Sequence, residues 1–159
     1  MASAVKTNAV RLLENAGIDF SVHEYDVSDG EIDALSIARK LGAENDRVFK
    51  TLVAESPDKE HFVFVVPAAA TLNLKKAAKV AAVKSIAMIK QKELLPLTGY
   101  VHGGCSPIGM KRSFPTFIDE TAILFDHINF SGGHLGVMIS MEPETACKFI
   151  GAEFTDLTR

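Results

Sequence analysis

Apolar residues recur every three or four positions in several stretches of the sequence, the spacing that places them on one face of a helix. The predicted helices cover residues 7–16, 32–41, 73–81, 90–95 and 142–151. Gly42 and Gly151 follow two of them, as helix stops commonly do. Asn73 is a suitable cap for the third, and Pro96 is expected to end the fourth.

Other stretches alternate apolar and polar residues, or are rich in β-branched and aromatic residues, as strands are. The predicted strands cover residues 20–27, 47–55, 61–68, 84–89, 116–120, 127–131, 134–140 and 152–157. Helices and hairpins are interleaved without regular βαβ repetition, which favours a mixed, mostly antiparallel sheet with flanking helices. We therefore expect a mixed α/β (α+β) fold, and 159 residues suit a single compact domain over residues 1–159.

Composition excludes several classes of protein. No apolar run approaches the roughly 20 residues that span a bilayer, and the first residues resemble an amphipathic helix more than a secretion signal. The two cysteines, Cys105 and Cys147, indicate neither a disulfide framework nor a metal site. The sequence predicts a cytoplasmic protein that does not associate with a membrane.

Charge is unevenly distributed along the chain. Residues 61–118 carry 8 lysines and arginines against 1 acid, a balance of +7, whereas residues 1–60 carry 7 against 12 and residues 119–159 carry 2 against 7, balances of −5 each. Such a basic stretch is typical of an anion-binding face, although a solvated run of charge is the simpler alternative. Within it, three lysines share one flank of the predicted helix 73–81: Lys75, Lys76 and Lys79.

Lys50 interrupts the apolar run "VFKTLV". Strand alternation places it on the same face as Val48 and Leu52. A lysine in such a position either protects a sheet edge against aggregation or pairs with an anion. Both interpretations remain open from the sequence.

The stretch "VHGGCSPIGMKR", residues 101–112, is the candidate for chemistry. Gly104 and Gly109 have the spacing of a nucleotide P-loop, but Met110 precedes Lys111, and Arg112 stands where a magnesium-binding hydroxyl belongs, which argues against that function. Cys105 as a nucleophile lacks a recognisable base, so an ordinary small residue is the preferred interpretation. The remaining feature is glycine-rich backbone, in this stretch and in "FSGGHLG" (residues 130–136). Glycines let the chain approach a ligand closely, so that its N–H groups can bind a small polar substrate.

Five segments occur together in this order: "VFKTLV", "LNLKKAAK", "GYVHGGCSPIGMKRSFPTFID", "FSGGHLG" and "GAEFTDL". On these motifs the chain resembles the YbaK/EbsC family, free-standing relatives of the editing domain of bacterial prolyl-tRNA synthetases. The resemblance implies a fold around a barrel-like sheet. It also implies an enzyme that hydrolyses the ester of mischarged tRNA(Pro), best known for removing cysteine, and hydrolysis of this activated ester by positioning and amide donors needs no metal or organic cofactor. Prolyl-tRNA synthetase is a possible partner by the same resemblance.

The resemblance also assigns roles to residues of this chain. It makes Lys50 the essential lysine that anchors the acceptor end of the tRNA. Together with Lys50, it makes Gly103, Gly104 and Ser131 the catalytic residues, with the loop amides holding the aminoacyl carbonyl. The residues expected to bind the substrate are Tyr25, Thr51, Ser106, Pro107, Gly132, Gly133 and Met138. The basic residues expected to bind tRNA phosphates are Lys75, Lys76, Lys79, Lys111 and Arg112.

Two positions depart from the cysteine-removing type, and both concern the amino-acid pocket. "EIDAL" (residues 31–35) replaces a segment with a phenylalanine, and Met138 replaces an aspartate. They leave the identity of the removed amino acid open, and they make one alternative credible, a tRNA-binding module without catalysis. A separate alternative is a thiol hydrolase that uses Cys105. The preferred mechanism is positioning of the ester beside amide donors, with attack by water or by a group of the substrate.

Overall fold

Helices and strands alternate irregularly within residues 6–42 and 47–158, which the computed structural model describes. The helices are α1 (Asn8–Asn15), α2 (Ala34–Leu41), α3 (Leu74–Val80), α4 (Gln91–Thr98) and α5 (Pro143–Ile150). The strands are β1 (Ser21–Glu24), β2 (Phe49–Glu55), β3 (His61–Pro67), β4 (Ala87–Met88), β5 (Thr116–Asp119), β6 (Ile128–Ser131), β7 (Val137–Met141) and β8 (Glu153–Thr155). A 3-10 helix, Glu120–Leu124, follows β5 and is not among the sequence predictions.

Local capping explains most helix boundaries. The side chain of Asn73 accepts hydrogen bonds from the first amides of α3, and Gly42 and Gly151 end α2 and α5 in the left-handed conformation. The predicted stop at Pro96 is wrong, because α4 continues to Thr98. A proline in the last turn removes only one helical hydrogen bond. None of the helices in the described ranges is long and apolar enough to cross a membrane.

The strands form two sheets. The larger has the order β4-β2-β3-β5-β8, in which β3–β5 and β5–β8 are parallel and the other pairs antiparallel. The smaller is antiparallel, with the order β1-β7-β6. An isolated parallel bridge between Val48 and Asn129 joins them. The mixed, mostly antiparallel sheet prediction is thus confirmed, although the described strands do not close into a barrel.

The β2–β3 pair separates two hydrophobic cores. Phe49 and Val53 belong to one core, together with residues of α1, β6 and β7. Ala54, Phe64 and Val66 belong to the other, against α3. Each fully buried side chain of this kind contributes about 1.5–3 kcal/mol to folding. Strand alternation therefore gives the two faces of β2 different neighbours, which decides where its polar residues point.

Lys50 and Thr51 lie on these opposite faces. Lys50 is directly opposite Val66 and so shares the face covered by α3, whereas Thr51 is opposite Val65 on the other face. β2 begins directly after the bridge at Val48 and lies between β4 and β3 in the larger sheet. The side chain of Lys50 lines a cavity, which favours the interpretation that this lysine pairs with an anion.

Candidate active site

A cavity of about 350 Å³ lies where β2, the start of α2, the glycine loop and the β6–β7 pair meet. Most of its wall is apolar, from Ile32, Leu35, Ile37, Val48, Phe49, Leu52, Ala68, Leu94 and Met138. Polar groups enter it from Tyr25, Asp33, Lys50, Thr51, His102 and Ser131, and the glycine loop contributes Gly103 and Cys105. A mainly apolar cavity with a few polar groups is the usual form of a small-molecule site.

Lys50 is the cation of this cavity. Burial lowers the pKa of its ammonium group, because removal from water disfavours the charged form. Within the described ranges, no carboxylate pairs with it and no hydrogen bond satisfies it. An anionic or strongly polar ligand group would supply the missing partner.

Two hydroxyl groups of the cavity wall also lack partners. Tyr25 Oη and Thr51 Oγ1 are the buried side-chain polar atoms without a hydrogen bond among the described residues. Burial raises the pKa of Tyr25, so the phenol is neutral. The backbone of Gly136 has the opposite, smaller effect on this pKa, but it does not form a hydrogen bond with Tyr25 Oη. Leaving a buried polar group unpaired costs about 1–3 kcal/mol. Such groups are therefore natural contacts for a polar ligand.

The glycine loop brings backbone to the cavity at Gly103. Its φ of +83° is in the left-handed region, and a Cβ there would lie 2.8 Å from Leu135 Cδ2 and 3.0 Å from Ile32 Cδ1. The positive φ favours glycine, and an added Cβ would require the ends of the Leu135 and Ile32 side chains to move. No described residue accepts a hydrogen bond from the Gly103 N–H, which leaves one backbone donor at the cavity wall.

The other predicted loop residues shape the loop and do not line the cavity. Gly104 donates its N–H to the Val101 carbonyl at 2.9 Å, and a Cβ there would lie 3.1 Å from the backbone nitrogen of Leu135. Ser106 is fully buried, and its Oγ accepts from the Ile108 N–H at 3.2 Å. Pro107 lines a separate cavity of about 240 Å³, together with Arg112. These positions fix the path of the backbone that presents Gly103.

Ser131 and Met138 face each other across the β6–β7 pair, and both line the cavity. Ser131 Oγ accepts from the Gly133 N–H at 3.2 Å. Gly132 donates its N–H to Val137 and accepts the Thr7 hydroxyl at 2.6 Å. Gly132 and Gly133 thus form the turn behind Ser131 and lie outside the cavity wall.

Cys105 lines the cavity but is a poor nucleophile. Burial raises the pKa of its thiol to about 12, so the reactive thiolate is scarce at neutral pH. His102, three residues before Cys105 in the sequence, is exposed. The described residues contain no cluster of histidine, cysteine and acidic side chains that could hold a metal ion. The thiol-hydrolase alternative is therefore not supported.

The predicted phosphate-binding cations differ in availability. The Lys76 ammonium is 2.6 Å from Asp156 Oδ2 and 2.8 Å from the Thr158 carbonyl, so it holds the C-terminal segment to α3. Lys75 and Lys79 are exposed, and neither has an ionic partner among the described residues. Lys111 and Arg112 are exposed in the segment after the glycine loop.

The sequence prediction missed much of the apolar wall. Leu94 from α4, Ala68 after β3 and Ile37 from α2 all line the cavity. In the sequence they are ordinary apolar positions of a helix or strand, and no local signal separates them from core residues. Ile32 and Leu35 fall in the segment "EIDAL", where the departure from the family pattern was the available signal.

The cavity therefore combines an unpaired lysine ammonium with a glycine N–H that has no acceptor among the described residues. Residues 32–149 match the family model of the aminoacyl-tRNA editing domain. The chain belongs to this family. The predicted family and its class of activity, deacylation of mischarged tRNA, are thereby confirmed.

One relative supports the assignment, and two solved structures share the fold. EbsC of Enterococcus faecalis, provisionally named a Cys-tRNA(Pro)/Cys-tRNA(Cys) deacylase, is 39% identical over 153 residues, which cover 96% of this chain and 93% of that protein. A protein provisionally described as a trans-editing enzyme for prolyl-tRNA synthetase superposes with a TM-score of 0.85 at 24% identity, covering 98% of this chain and 99% of that one. The hypothetical protein APE2540 superposes with a TM-score of 0.88 at 18% identity, covering 96% of this chain and 100% of that one. The two structures establish the fold alone.

Proposed function

We propose that this protein removes a wrongly attached amino acid from tRNA(Pro) in trans, with Cys-tRNA(Pro) as the first candidate and Ala-tRNA(Pro) or another small aminoacyl ester as the second. The observation that carries the proposal is the grouping of Lys50, the Thr51 and Tyr25 hydroxyls and the Gly103 amide around one cavity. Each is without a partner among the described residues. The name of the relative EbsC favours cysteine.

The reaction breaks the bond between the aminoacyl carbonyl and the ribose oxygen. We assign Lys50 to the phosphate and ribose of the acceptor end, and the Gly103 N–H to the carbonyl oxygen that becomes negative in the transition state. Water, or a hydroxyl or thiol of the substrate, attacks the carbonyl carbon, and the ribose oxygen leaves with a proton. Cys105 is too weakly acidic to attack. Positioning and the amide donor therefore supply the rate enhancement.

Selection of the amino acid follows from the shape of the cavity. Its apolar wall, with Ile32, Leu35 and Met138, surrounds a volume of about 350 Å³ that must hold the aminoacyl group and part of the terminal nucleoside. Rejection of the proline ring by such a wall is steric, the principle of a second sieve. An uncharged small side chain fits this mostly apolar wall, because the carboxylate of Asp33 is already hydrogen-bonded to Ser36.

The tRNA body is expected to approach over α3. This helix packs on the sheet face that carries Lys50, and it exposes Lys75 and Lys79 toward solvent. Lys111 and Arg112 extend the basic surface, whereas Lys76 is held by Asp156. Each phosphate contact on single-stranded RNA changes the slope of log affinity against log salt by about −0.7, and on a duplex by about −0.9. Removing Lys75 and Lys79 together should therefore make the slope shallower by roughly 1.5.

The deciding experiment is hydrolysis of tRNA(Pro) charged with Cys, Ala, Ser or Pro. Wild-type protein is compared with Lys50→Ala and with Lys148→Ala, which removes an exposed lysine of α5 away from the cavity. We expect rapid release of one non-cognate amino acid by wild type and Lys148→Ala, loss in Lys50→Ala, and no release of proline. If no ester is cleaved while tRNA binding remains salt-dependent, the chain is a binding module.

The setting of this activity is part of the proposal. An editing enzyme acting in trans must meet charged tRNA before translation uses it, which places it in the cytoplasm. Prolyl-tRNA synthetase, the source of the mischarged tRNA, is the natural partner. Sedimentation of the protein with the synthetase, with and without tRNA(Pro), tests whether the two associate.

A further inference from the structure

Residues 26–33 belong to no helix or strand, and the end of this segment contributes to one wall of the cavity. The segment connects β1 to α2 and brings Ile32 and Asp33 to the cavity, followed by Leu35 in the first turn of α2. Its shape therefore has to be maintained by side-chain contacts. Those contacts decide the position of the wall that meets the substrate.

The ammonium group of Lys40, at the end of α2, makes three of these contacts. It donates to the Asp26 carbonyl at 2.7 Å, to Asp29 Oδ1 at 2.8 Å and to the Glu31 carbonyl at 2.8 Å. An ammonium has three N–H bonds, so all of its donors are used. The Lys40 side chain is 15% exposed, unlike a solvated surface lysine. Its hydrogen bond also lowers the pKa of Asp29, which keeps that carboxylate ionised.

The remaining hydrogen bonds of the segment are mostly local. Ser28 N–H donates to Asp26 Oδ1, and Glu31 N–H donates to Asp29 Oδ1. They shape individual turns but do not attach the segment to α2. Arg39 does reach Glu31 at 2.9 Å, but the two side chains are 66% and 55% exposed, and an exposed pair of this kind contributes little. Asp33 attaches the end of the segment to the start of α2, because its carboxylate accepts from the Ser36 N–H and from Ser36 Oγ. Lys40 is thus the main contact that attaches residues 26–31 to the C-terminal end of the helix.

The attachment lies next to the reacting end of the cavity. The Glu31 carbonyl that accepts from Lys40 immediately precedes Ile32. Ile32 packs closely against Gly103, because a Cβ added at Gly103 would lie 3.0 Å from Ile32 Cδ1. A displacement of the segment therefore moves Ile32 away from Gly103, which lines the cavity. We propose that Lys40 is a positioning residue for amino-acid selection, acting through the segment 26–33 and Ile32. This inference rests on the proposed editing function.

The test compares Lys40→Met with Arg39→Met, a matched loss of one cation from the same helix. The measured quantity is the ratio of kcat/KM for the preferred mischarged tRNA to kcat/KM for Pro-tRNA(Pro). Because misplacement by about 1 Å can cost about 100-fold in rate, we expect Lys40→Met to lower this ratio by about tenfold or more, and Arg39→Met to leave it unchanged. Thermal unfolding confirms that both variants are folded under the assay conditions.

Hydrogen exchange gives a second measurement that does not need turnover. In Lys40→Met the amides of Ser28, Gly30 and Glu31 should exchange faster than in wild type, whereas Arg39→Met should leave them protected. The affinity ratio for non-hydrolysable cysteinyl- and prolyl-adenosine amides should fall in parallel with the kinetic ratio.

The outcomes separate the two proposals. If wild type cleaves no ester, the proposed function fails, and exchange together with the analogue affinities still decides the role of Lys40. An unchanged selectivity ratio in Lys40→Met overturns the inference, and so does an equal fall in Arg39→Met. Faster exchange without any change in selectivity shows a purely structural contact and also overturns it.

Discussion

Replacing Thr51 by valine should make the protein more stable and less active. Thr51 Oγ1 is buried and has no hydrogen-bond partner among the described residues, although the side chain lines the cavity. Valine has nearly the same shape and no hydroxyl group, and it favours strands as threonine does. The substitution therefore removes an unpaired polar group from β2 without opening a hole in the core.

The magnitudes follow from the state of that hydroxyl. An unpaired buried polar group costs about 1–3 kcal/mol, so we expect the free energy of unfolding to rise by about 1 kcal/mol or more. If the substrate pairs with the hydroxyl, a neutral hydrogen bond of about 0.5–1.5 kcal/mol is lost. At about 1.4 kcal/mol per tenfold, kcat/KM should fall roughly 2- to 12-fold.

Urea unfolding and steady-state deacylation measure the two effects. Thr116→Val is the matched control, because Thr116 is a buried threonine of β5 whose hydroxyl donates to the Phe114 carbonyl at 2.9 Å. That variant should lose about 1 kcal/mol of stability and keep its activity. A Thr51→Val protein that is less stable than wild type would refute the argument that the hydroxyl is unsatisfied. Unchanged kcat/KM would show that the substrate does not use it.

Three further predictions concern the loop and the cation. Gly103→Ala and Gly17→Ala both place alanine at positive φ, which costs about 1–2 kcal/mol, but only Gly17 of the two has open space around it. Urea unfolding should therefore show a larger loss of stability for Gly103→Ala, and equal losses would contradict the steric argument. Cys105→Ala should retain deacylation, and iodoacetamide should fail to inactivate wild type at pH 8, because the thiol pKa is about 12; inactivation would restore the thiol mechanism. Burial lowers the pKa of Lys50 in the folded protein. Between that lowered pKa and about 10.5, the unfolded chain binds more protons than the folded protein, so the contribution of this group to stability rises with pH. Lys50→Met should lack this rise and be more stable than wild type at pH 7, whereas parallel pH profiles of the two proteins would count against a desolvated ammonium.

Periodicity and capping residues determined the secondary structure, since both act within a few residues of the chain. The alternation in "VFKTLV" placed Lys50 and Thr51 on opposite faces of β2, as the strand register shows. Asn73 capped α3 as expected. Where a local signal was weak, as for one proline in the last turn of α4, the helix continued past the predicted end.

The family motifs in the sequence identified the class of protein and many residues near the cavity, but not how each one is used. Lys75, Lys76 and Lys79 are equivalent in the sequence, and only the structure shows Lys76 bound to Asp156, 80 residues away. Likewise, the pairing of Lys40 with the wall segment and the approach of Ile32 to Gly103 depend on elements brought together by the fold. Local pattern determines the elements because it acts through neighbouring backbone. Which charge is free and which hydroxyl is unpaired is decided by long-range packing alone.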